Sequence, residues 1–174
     1  DGNLAARVKD EAKIKEKLAV KKELTPQNIP DWLGARISVD TITQAKLLLD
    51  ELNKTYKVIE IDDFLDDVGR TQRKNPTEYR RMHNQVLTKD GFSFELQISL
   101  KELDPIIDKS HAVYKNITYQ RDSMPIAEYN KTLKEQAKVE ADMKNAYYKI
   151  KDKEFSRMNT TNDVDMPFVV GTRL

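Results

Sequence analysis

The sequence predicts an α+β fold, in which helices flank a small mixed β-sheet of four to five strands and a long helix follows at the C-terminal end. Two features carry this prediction. Residues 79–87 and 92–99 alternate between polar and apolar side chains, and the turn between them contains Asp90-Gly91, a strong signal of a β-hairpin. Residues 41–52 and 125–155 instead have apolar residues three and four positions apart, as an amphipathic helix requires.

Before the hairpin, the chain is predicted to form two helices and two strands. Residues 4–24 have a sparse apolar stripe among many charges, which favours a helix. Residues 32–39 run from a loop into a short strand. Thr41 is the expected N-cap of the next helix, since a glutamine three positions later completes a capping box. Residues 56–61 alternate as a second strand.

The remaining elements are a loop and two helices. Residues 62–77 are polar and are predicted to form a long mobile loop, a kind of segment that is commonly functional. Residues 101–115 follow the hairpin as a helix with a proline in its first turn. The final helix, residues 125–155, has Gln136 and Glu140 in the middle of its apolar stripe. It is therefore a poor coiled coil, and we expect it to pack on the surface or bind a partner.

The composition excludes several classes of protein. Hydrophobic residues make up 39% and charged residues 34% of the 174 residues, as in a soluble globular domain with one core. The absence of cysteine excludes disulfides and thiolate metal sites, and two histidines are too few for a typical zinc site. No apolar run approaches the ~20 residues of a membrane span. A net charge of +1 is too balanced for a general nucleic-acid coat.

Polar side chains share one face of the predicted hairpin, because alternate residues of a strand point the same way. An ordinary solvent-exposed sheet face is also polar, so this pattern alone leaves a structural and a functional interpretation open. The residue types favour a site, since aromatic, histidine, arginine and carboxylate groups replace the Lys, Thr and Ser that usually face solvent. On the two strands they are Tyr79, Arg81, His83, Gln85, Ser93, Glu95 and Gln97.

Five short motifs occur in order along the first two thirds of the chain. They are Arg7-Val8-Lys9 followed by Lys17, Asp31-Trp32-Leu33-Gly34-Ala35-Arg36-Ile37, Tyr79-Arg80-Arg81-Met82-His83, Glu95-Leu96-Gln97-Ile98 and His111-Ala112-Val113-Tyr114-Lys115. Together they resemble the motifs of the RelA/SpoT-type nucleotidyltransferase domain, the family of alarmone synthetases. The resemblance implies a nucleotidyltransferase-like synthetase fold, with a catalytic domain over residues 1–120 and a helical extension and tail over residues 121–174.

The resemblance also implies a magnesium site. Asp31 and Glu95 are expected to hold Mg²⁺, a hard cation that suits carboxylate oxygens and bridges substrate phosphates. Glu95 is further expected to accept the proton of an attacking 3′-hydroxyl. From the sequence pattern alone, Asp31 would instead be taken for a helix cap or a loop carboxylate.

ATP is the pyrophosphate donor that the resemblance implies. Arg7 and Arg36 are expected to sandwich its adenine, because planar guanidinium groups stack on flat rings. Lys9 and Lys17, two turns apart on the predicted first helix, are expected to neutralise the triphosphate. A solvated lysine face would look the same in the sequence.

For the acceptor purine nucleotide, the resemblance implies that Tyr79 stacks on the base while His83 and Gln97 line the pocket. The predicted loop carries cations that can close over phosphates or simply face solvent, namely Arg70, Arg73 and Lys74. The sequence departs from the family pattern at three places: Lys13 replaces a serine, Thr77-Glu78 replaces Asn-Gly, and Ser99-Leu100 replaces Arg-Thr. Glu78 denies the close backbone approach that glycine allows, so a reshaped acceptor pocket is expected.

The implied activity is transfer of the β,γ-pyrophosphate of ATP to the 3′-hydroxyl of a nucleotide, making (p)ppGpp or (p)ppApp in the bacterial cytoplasm. A compact module of this kind also fits a growth-inhibiting toxin. Two alternatives stay open: pyrophosphorylation of the tRNA 3′ end, with the helix lysines, Arg80 and Arg81 in a basic patch, and an inactive nucleotide-binding or partner-binding module. The C-terminal helix is the expected surface for a protein inhibitor or a second copy of the chain, and no membrane contact is expected.

Overall fold

Five strands form one mixed sheet in the computed structural model, which describes residues 3–20, 33–71 and 77–160. The strands lie in the order β1-β2-β5-β4-β3, so that β5 is central. β2 and β5 are parallel, and the other neighbours are antiparallel. The predicted α+β class with a small mixed sheet is thus confirmed. The strand bounds are β1 Asn3–Val8, β2 Leu33–Val39, β3 Lys57–Asp63, β4 Met82–Leu87 and β5 Ser93–Leu100.

The first element differs from the predicted helix over residues 4–24. The chain forms β1 up to Val8, and helix α1 begins at Glu11 and is described over Glu11–Val20, with residues 21–24 outside the described ranges. A spacing of four residues, as between Leu4 and Val8, fits one face of a helix and also one face of a strand. These two side chains are 71% and 74% exposed, so they are not part of a core-facing stripe. The antiparallel backbone pairing with β2 decides the conformation instead.

Helix α2, Ile42–Thr55, begins where the capping residues predict. The side-chain oxygen of Thr41 accepts a hydrogen bond from the backbone N–H of Gln44 at 3.1 Å. The carboxylate of Glu154, far along the chain, accepts the backbone N–H groups of Ile42 and Thr43 at 3.0 and 2.8 Å. The first turn of α2 is therefore satisfied by its own cap and by the C-terminal helix.

The predicted loop over residues 62–77 contains more structure than its polarity indicates. Strand β3 extends to Asp63, and a short helix α3 occupies Asp67–Thr71. Helix α4, Asp104–Gln120, and helix α5, Ile126–Thr160, are both longer than predicted. Short 3₁₀ turns precede them at Lys101–Leu103 and Arg121–Ser123.

One hydrophobic core joins the sheet to the C-terminal helix. Met82, Ile98 and Leu100 on the apolar sheet face belong to the same cluster as the α5 side chains Met143 and Tyr147. Helix α5 also packs along α4. Much of its apolar stripe is thus used inside the molecule. Of the helices in the described part of the chain, none combines the length and apolar character needed to cross a membrane.

Candidate active site

The strand register gathers the predicted polar face on the central strand. Glu95 of β5 lies opposite Gln85 of β4 on one side and Gly34 of β2 on the other. Gln97, two residues further along β5, lies between His83 and Arg36. Alternate residues share a face, so these side chains occupy one surface of the sheet.

Glu95 is held through both of its carboxylate oxygens. Nδ1 of His83 lies 3.0 Å from Oε1, and the Nε2 amide of Gln97 donates to Oε2 at 2.9 Å. The hydroxyl of Tyr79 lies 2.8 Å from the other ring nitrogen of His83. An ionised carboxylate only accepts, so His83 donates through Nδ1, and its Nε2 in the neutral ring accepts from Tyr79. The side chain of Glu95 remains 20% exposed and can meet a ligand.

A buried arginine continues this network toward α4. The guanidinium of Arg81 donates to Oε1 of Gln97 at 2.8 Å, to Oδ1 of Asp104 at 3.2 Å and to the hydroxyl of Ser99 at 3.3 Å. Ser99 itself donates to Asp104 at 2.5 Å. The serine that stands in place of the family's arginine is therefore part of the support of Gln97.

Both arginines that were assigned to a basic patch for tRNA are buried, which contradicts that assignment. Arg81 is 4% exposed and Arg80 is fully buried. Arg80 donates to a carboxylate oxygen of Asp67 at 2.7 Å, and its guanidinium lies 3.9 Å from the ring centroid of Tyr147. Each is engaged with carboxylates inside the protein, so neither offers charge to a nucleic acid.

Glu95 lines the first of two cavities, which lies over β1, β2 and β5. It has a volume of about 200 Å³, and Arg7, Arg36, Glu95 and Gln97 contribute to its walls. Arg7 lies over Gly34, where an added Cβ would approach its Nε to 3.7 Å. Arg36 is restrained by ion pairs with Asp108 at 3.4 Å and Asp104 at 3.8 Å. The two arginines predicted to act together thus share one cavity. Its described lining residues are Ala5, Ala6, Arg7, Gly34, Ala35, Arg36, Glu95 and Gln97.

The second cavity is larger, about 580 Å³, and lies between the sheet, α4 and α5. Tyr79 and His83, two of the three predicted acceptor residues, form part of its wall, whereas the third, Gln97, lines the smaller cavity instead. The ring of Phe64 packs edge-on against Tyr79, with centroids 6.2 Å apart. The described lining residues are Asp62, Phe64, Thr77, Glu78, Tyr79, His83, Ser110, His111, Tyr114, Ile117, Thr118, Gln136, Glu140 and Met143.

Several of these lining residues were not predicted. His111 and Tyr114 stand three positions apart, so one face of α4 presents both, and this spacing is a signal that the sequence contains. Burial, together with nearby cations, lowers the pKa of His111, so its ring is uncharged at neutral pH. The contribution of α5 depends on tertiary packing that no local pattern reveals.

The two lysines predicted for the triphosphate do not share a helix face. Lys9 lies in the turn between β1 and α1, and only Lys17 is helical. Asp31, Arg73 and Lys74 lie outside the described residues. In the predicted loop, Arg70 is mostly buried: its guanidinium donates to the carbonyl of Thr77 at 3.1 Å and lies 3.6 Å from the carboxylate of Glu78.

The carboxylate of Glu95 has the chemistry that Mg²⁺ prefers, and it faces the cavity that contains the two arginines. Within the described ranges there is no cluster of three or more carboxylate or histidine groups that would hold a metal by itself. A cation there would depend on Glu95, on the oxygens of a bound nucleotide and on residues beyond those ranges.

Comparison with known proteins agrees with this architecture. The family described as the region found in RelA/SpoT proteins matches residues 6–119. Small alarmone synthetase 1 from Bacillus subtilis, bound to its product pppGpp, is 18% identical with a TM-score of 0.68, covering 90% of this chain and 78% of that one. A GTP pyrophosphokinase family protein from Streptococcus pneumoniae is 22% identical with a TM-score of 0.59, covering 92% and 80%.

A further similar structure is the complex between the type VI effector Tas1 and its immunity protein, at 18% identity and a TM-score of 0.50, covering 85% and 82%. At such identities these structures show the fold. No curated protein gives a significant match.

Proposed function

The chain belongs to the RelA/SpoT family, and from this premise we propose that it is an ATP-dependent nucleotide 3′-pyrophosphokinase. It transfers the β,γ-pyrophosphate of ATP to the 3′-hydroxyl of a purine nucleotide and releases AMP. The observation that carries the proposal is the position of Glu95, which lines the arginine cavity and hydrogen-bonds to His83, a wall residue of the larger cavity. A group placed in this way can serve both substrates.

Glu95 acts as the general base in this reaction. The acceptor 3′-oxygen forms a bond to the β-phosphorus of ATP, the bond from that phosphorus to the α,β-bridging oxygen breaks, and the hydroxyl proton passes to Glu95. His83 and Gln97 fix the orientation of the carboxylate, because each hydrogen-bonds one of its oxygens. Mg²⁺, which Glu95 and Asp31 would hold, neutralises phosphate charge when bound.

The donor and the acceptor occupy different cavities. Arg7 and Arg36 stack on the adenine of ATP in the smaller cavity, and Lys9 and Lys17 neutralise its phosphates. Tyr79 stacks on the acceptor base in the larger cavity, where its ring lies 5.7 Å from that of His83. This separation leaves the reacting phosphate and hydroxyl to meet at Glu95.

The other functions have less support. Modification of the tRNA 3′ end loses two members of the basic patch that was expected for it, since Arg80 and Arg81 are buried. An inactive binding module has no use for a carboxylate oriented by two hydrogen-bond donors. A toxic role with a protein inhibitor concerns the biological setting, and it is compatible with the same reaction.

The test is an incubation of the purified chain with Mg²⁺ and ATP, offered GDP, GTP, ADP, AMP and uncharged tRNA in separate reactions. Products are separated by ion-exchange chromatography and identified by mass spectrometry, and a reaction without acceptor is the control. We expect AMP and a 3′-pyrophosphorylated nucleotide in equal amounts. ATP binding without transfer to any acceptor would overturn the proposal in favour of a binding module.

A further inference from the structure

Helix α5 contributes a polar pair to the wall of the larger cavity. The side-chain amide of Gln136 donates to Oε1 of Glu140 at 3.0 Å, one helical turn away, and both side chains line the cavity. Their neighbours Val139 and Met143 are each 1% exposed. In the sequence, the same two polar residues interrupt the apolar stripe of the helix. Polar groups next to a core are costly unless they are hydrogen-bonded, and this pair leaves acceptor positions of Glu140 toward the cavity, so a ligand-binding role accounts for it.

The charge of this cavity suits a base better than a phosphate. Its described lining contains three carboxylates, those of Asp62, Glu78 and Glu140, and no lysine or arginine. Glu78 is already paired with the buried guanidinium groups of Arg70 and Arg80, at 3.6 and 3.5 Å. The remaining carboxylates repel phosphate and attract hydrogen-bond donors.

The carboxylate of Glu140 is positioned to accept hydrogen bonds from a ligand. Gln136 fixes Oε1, and within the described part of the chain no hydrogen bond or ion pair engages Oε2. An ionised carboxylate offers acceptor positions only. It therefore prefers a ligand edge on which two N–H donors stand side by side.

We propose that Glu140 reads the Watson–Crick edge of the acceptor base and selects guanine, with Gln136 as its positioning residue. This inference rests on the proposed function, which places the acceptor in this cavity. Guanine presents N1–H and the 2-amino group next to each other, so one carboxylate can accept from both. Adenine presents the lone pair of N1 at the corresponding position, and the two acceptors repel each other. Of the two product classes that the sequence left open, this site favours (p)ppGpp.

Direct binding measurements test the inference without relying on transfer. The dissociation constants of GDP, IDP, XDP and ADP are measured by calorimetry, without ATP, for the unaltered chain and for Glu140→Gln. For the unaltered chain we expect GDP to bind about 10- to 100-fold more tightly than ADP, as the loss of a hydrogen bond to a charged group predicts. IDP lacks the 2-amino group and should fall between them.

The Glu140→Gln variant should change the preference in a specific way. An amide offers one acceptor and one donor, which match N1–H and the 2-oxo group of xanthine. We therefore expect GDP to bind more weakly and XDP more tightly in this variant, each by about 10-fold. Glu135→Gln is the matched control: Glu135 lies on the same helix and pairs at 3.8 Å with Lys109 outside the cavity, and its variant should bind as the unaltered chain does.

These binding measurements test the inference about base selection independently of the proposed transfer reaction. Equal binding of GDP and ADP by the unaltered chain, or an unchanged preference in a folded Glu140→Gln variant, would overturn the inference even if transfer occurs. Selective GDP binding that Glu140→Gln removes would support it even if no transfer is seen. Should Glu140→Gln not fold, Gln136→Ala takes its place, and a GDP-to-ADP ratio unaltered in that variant would overturn the inference.

Discussion

Among single residues, Glu95 is the one on which the proposed reaction depends most. It lies on the central strand, and the side chains of His83 and Gln97 hold its two oxygens in place. Tyr79 and Arg81 in turn hold those two residues through hydrogen bonds of 2.8 Å. The orientation of the Glu95 carboxylate is thus fixed by its partners and by the residues that hold those partners, as a general base requires.

Replacing Glu95 by glutamine keeps the shape of this side chain and removes its ability to take a proton. We expect kcat to fall by about 10²- to 10⁴-fold, the usual contribution of general-base catalysis. Thermal stability should change little, because an amide can still accept from Gln97. Steady-state kinetics measure kcat, and calorimetry measures ATP binding by the variant. If the turnover of Glu95→Gln stays within a few-fold of the original, Glu95 is not the base.

Replacing Tyr79 tests whether the acceptor and ATP bind at different places. Tyr79→Ala removes the ring that stacks on the acceptor base, and a lost stacking contact weakens base binding by about 1–3 kcal/mol. ATP binding should stay as it is, because Tyr79 lies in the other cavity. Tyr79→Phe is the control that keeps the ring and removes the hydroxyl that bonds to His83. An equal loss of ATP and acceptor binding in Tyr79→Ala would contradict the assignment.

The Arg80–Asp67 pair gives the stability of the protein a dependence on pH. Burial alone would raise the pKa of Asp67, but the hydrogen bond and charge of Arg80 lower it below its ordinary value of 3.8, with help from Lys151. The unfolded chain therefore binds more protons between the lowered pKa and 3.8. This contribution to stability is fully present above that value and is lost as the pH falls through the lowered pKa.

Urea unfolding of Asp67→Asn between pH 2 and pH 7 measures this dependence. We expect the variant to be less stable at pH 7 by about 1–3 kcal/mol, because a buried guanidinium loses a charged partner. Its acid dependence should be shallower than that of the unaltered chain. Parallel pH curves for the two proteins would show that Asp67 does not provide the effect.

At the scale of the element, α5 is a part of the core. Its side chain Tyr147 is buried and donates a hydrogen bond to the carbonyl of Leu65, while Glu154 caps α2. The same helix closes one side of the larger cavity, proposed for the acceptor, with Gln136 and Glu140. The division of the chain into residues 1–120 and 121–174 remains a prediction, and the two parts share this core.

Two aliphatic side chains of α5 test how far its packing stabilises the fold. Ile150 is 4% exposed within the core, and Ile150→Ala should lower the free energy of unfolding by about 2–5 kcal/mol. Leu133 is 39% exposed on the same helix, and Leu133→Ala should cost only about 0.5 kcal/mol. Denaturant unfolding gives both values. Similar losses for the two variants would show that α5 does not pack as described.

The elements also show what the sequence can predict. The hairpin is specified locally, since Gly91 adopts the positive φ of 80° that its turn needs, and strand alternation places Glu95 and Gln97 on one face. Strand β1 was taken for a helix because a spacing of four residues fits both structures, and only pairing with β2 decides between them. The approach of Glu140 to Tyr79 depends on tertiary packing, so no local pattern could reveal it.

In the molecule as a whole, the fold forms a cationic cavity that Glu95 lines and an acidic, aromatic cavity that His83, a hydrogen-bond partner of Glu95, lines. The cationic cavity contains Arg7 and Arg36, and the acidic one contains Tyr79, His83 and Glu140. This difference in charge supports the proposal that ATP binds in the cationic cavity and the acceptor base in the acidic one. The resemblance implied most of these residues before the structure, whereas the positions of Glu140 and Phe64 in the cavity wall depend on the packed chain.

Transfer of an intact pyrophosphate to the 3′-hydroxyl is tested most directly by following both transferred phosphates at once. The chain is incubated with Mg²⁺, GDP and ATP labelled separately at its β- and γ-phosphates, and a GDP analogue without the 3′-hydroxyl is the control acceptor. We expect that both labels reach GDP in equal amounts, that AMP forms at the same rate, and that the control acceptor takes neither. Transfer of the γ-label alone with release of ADP, or labelling of the control acceptor, would contradict this expectation.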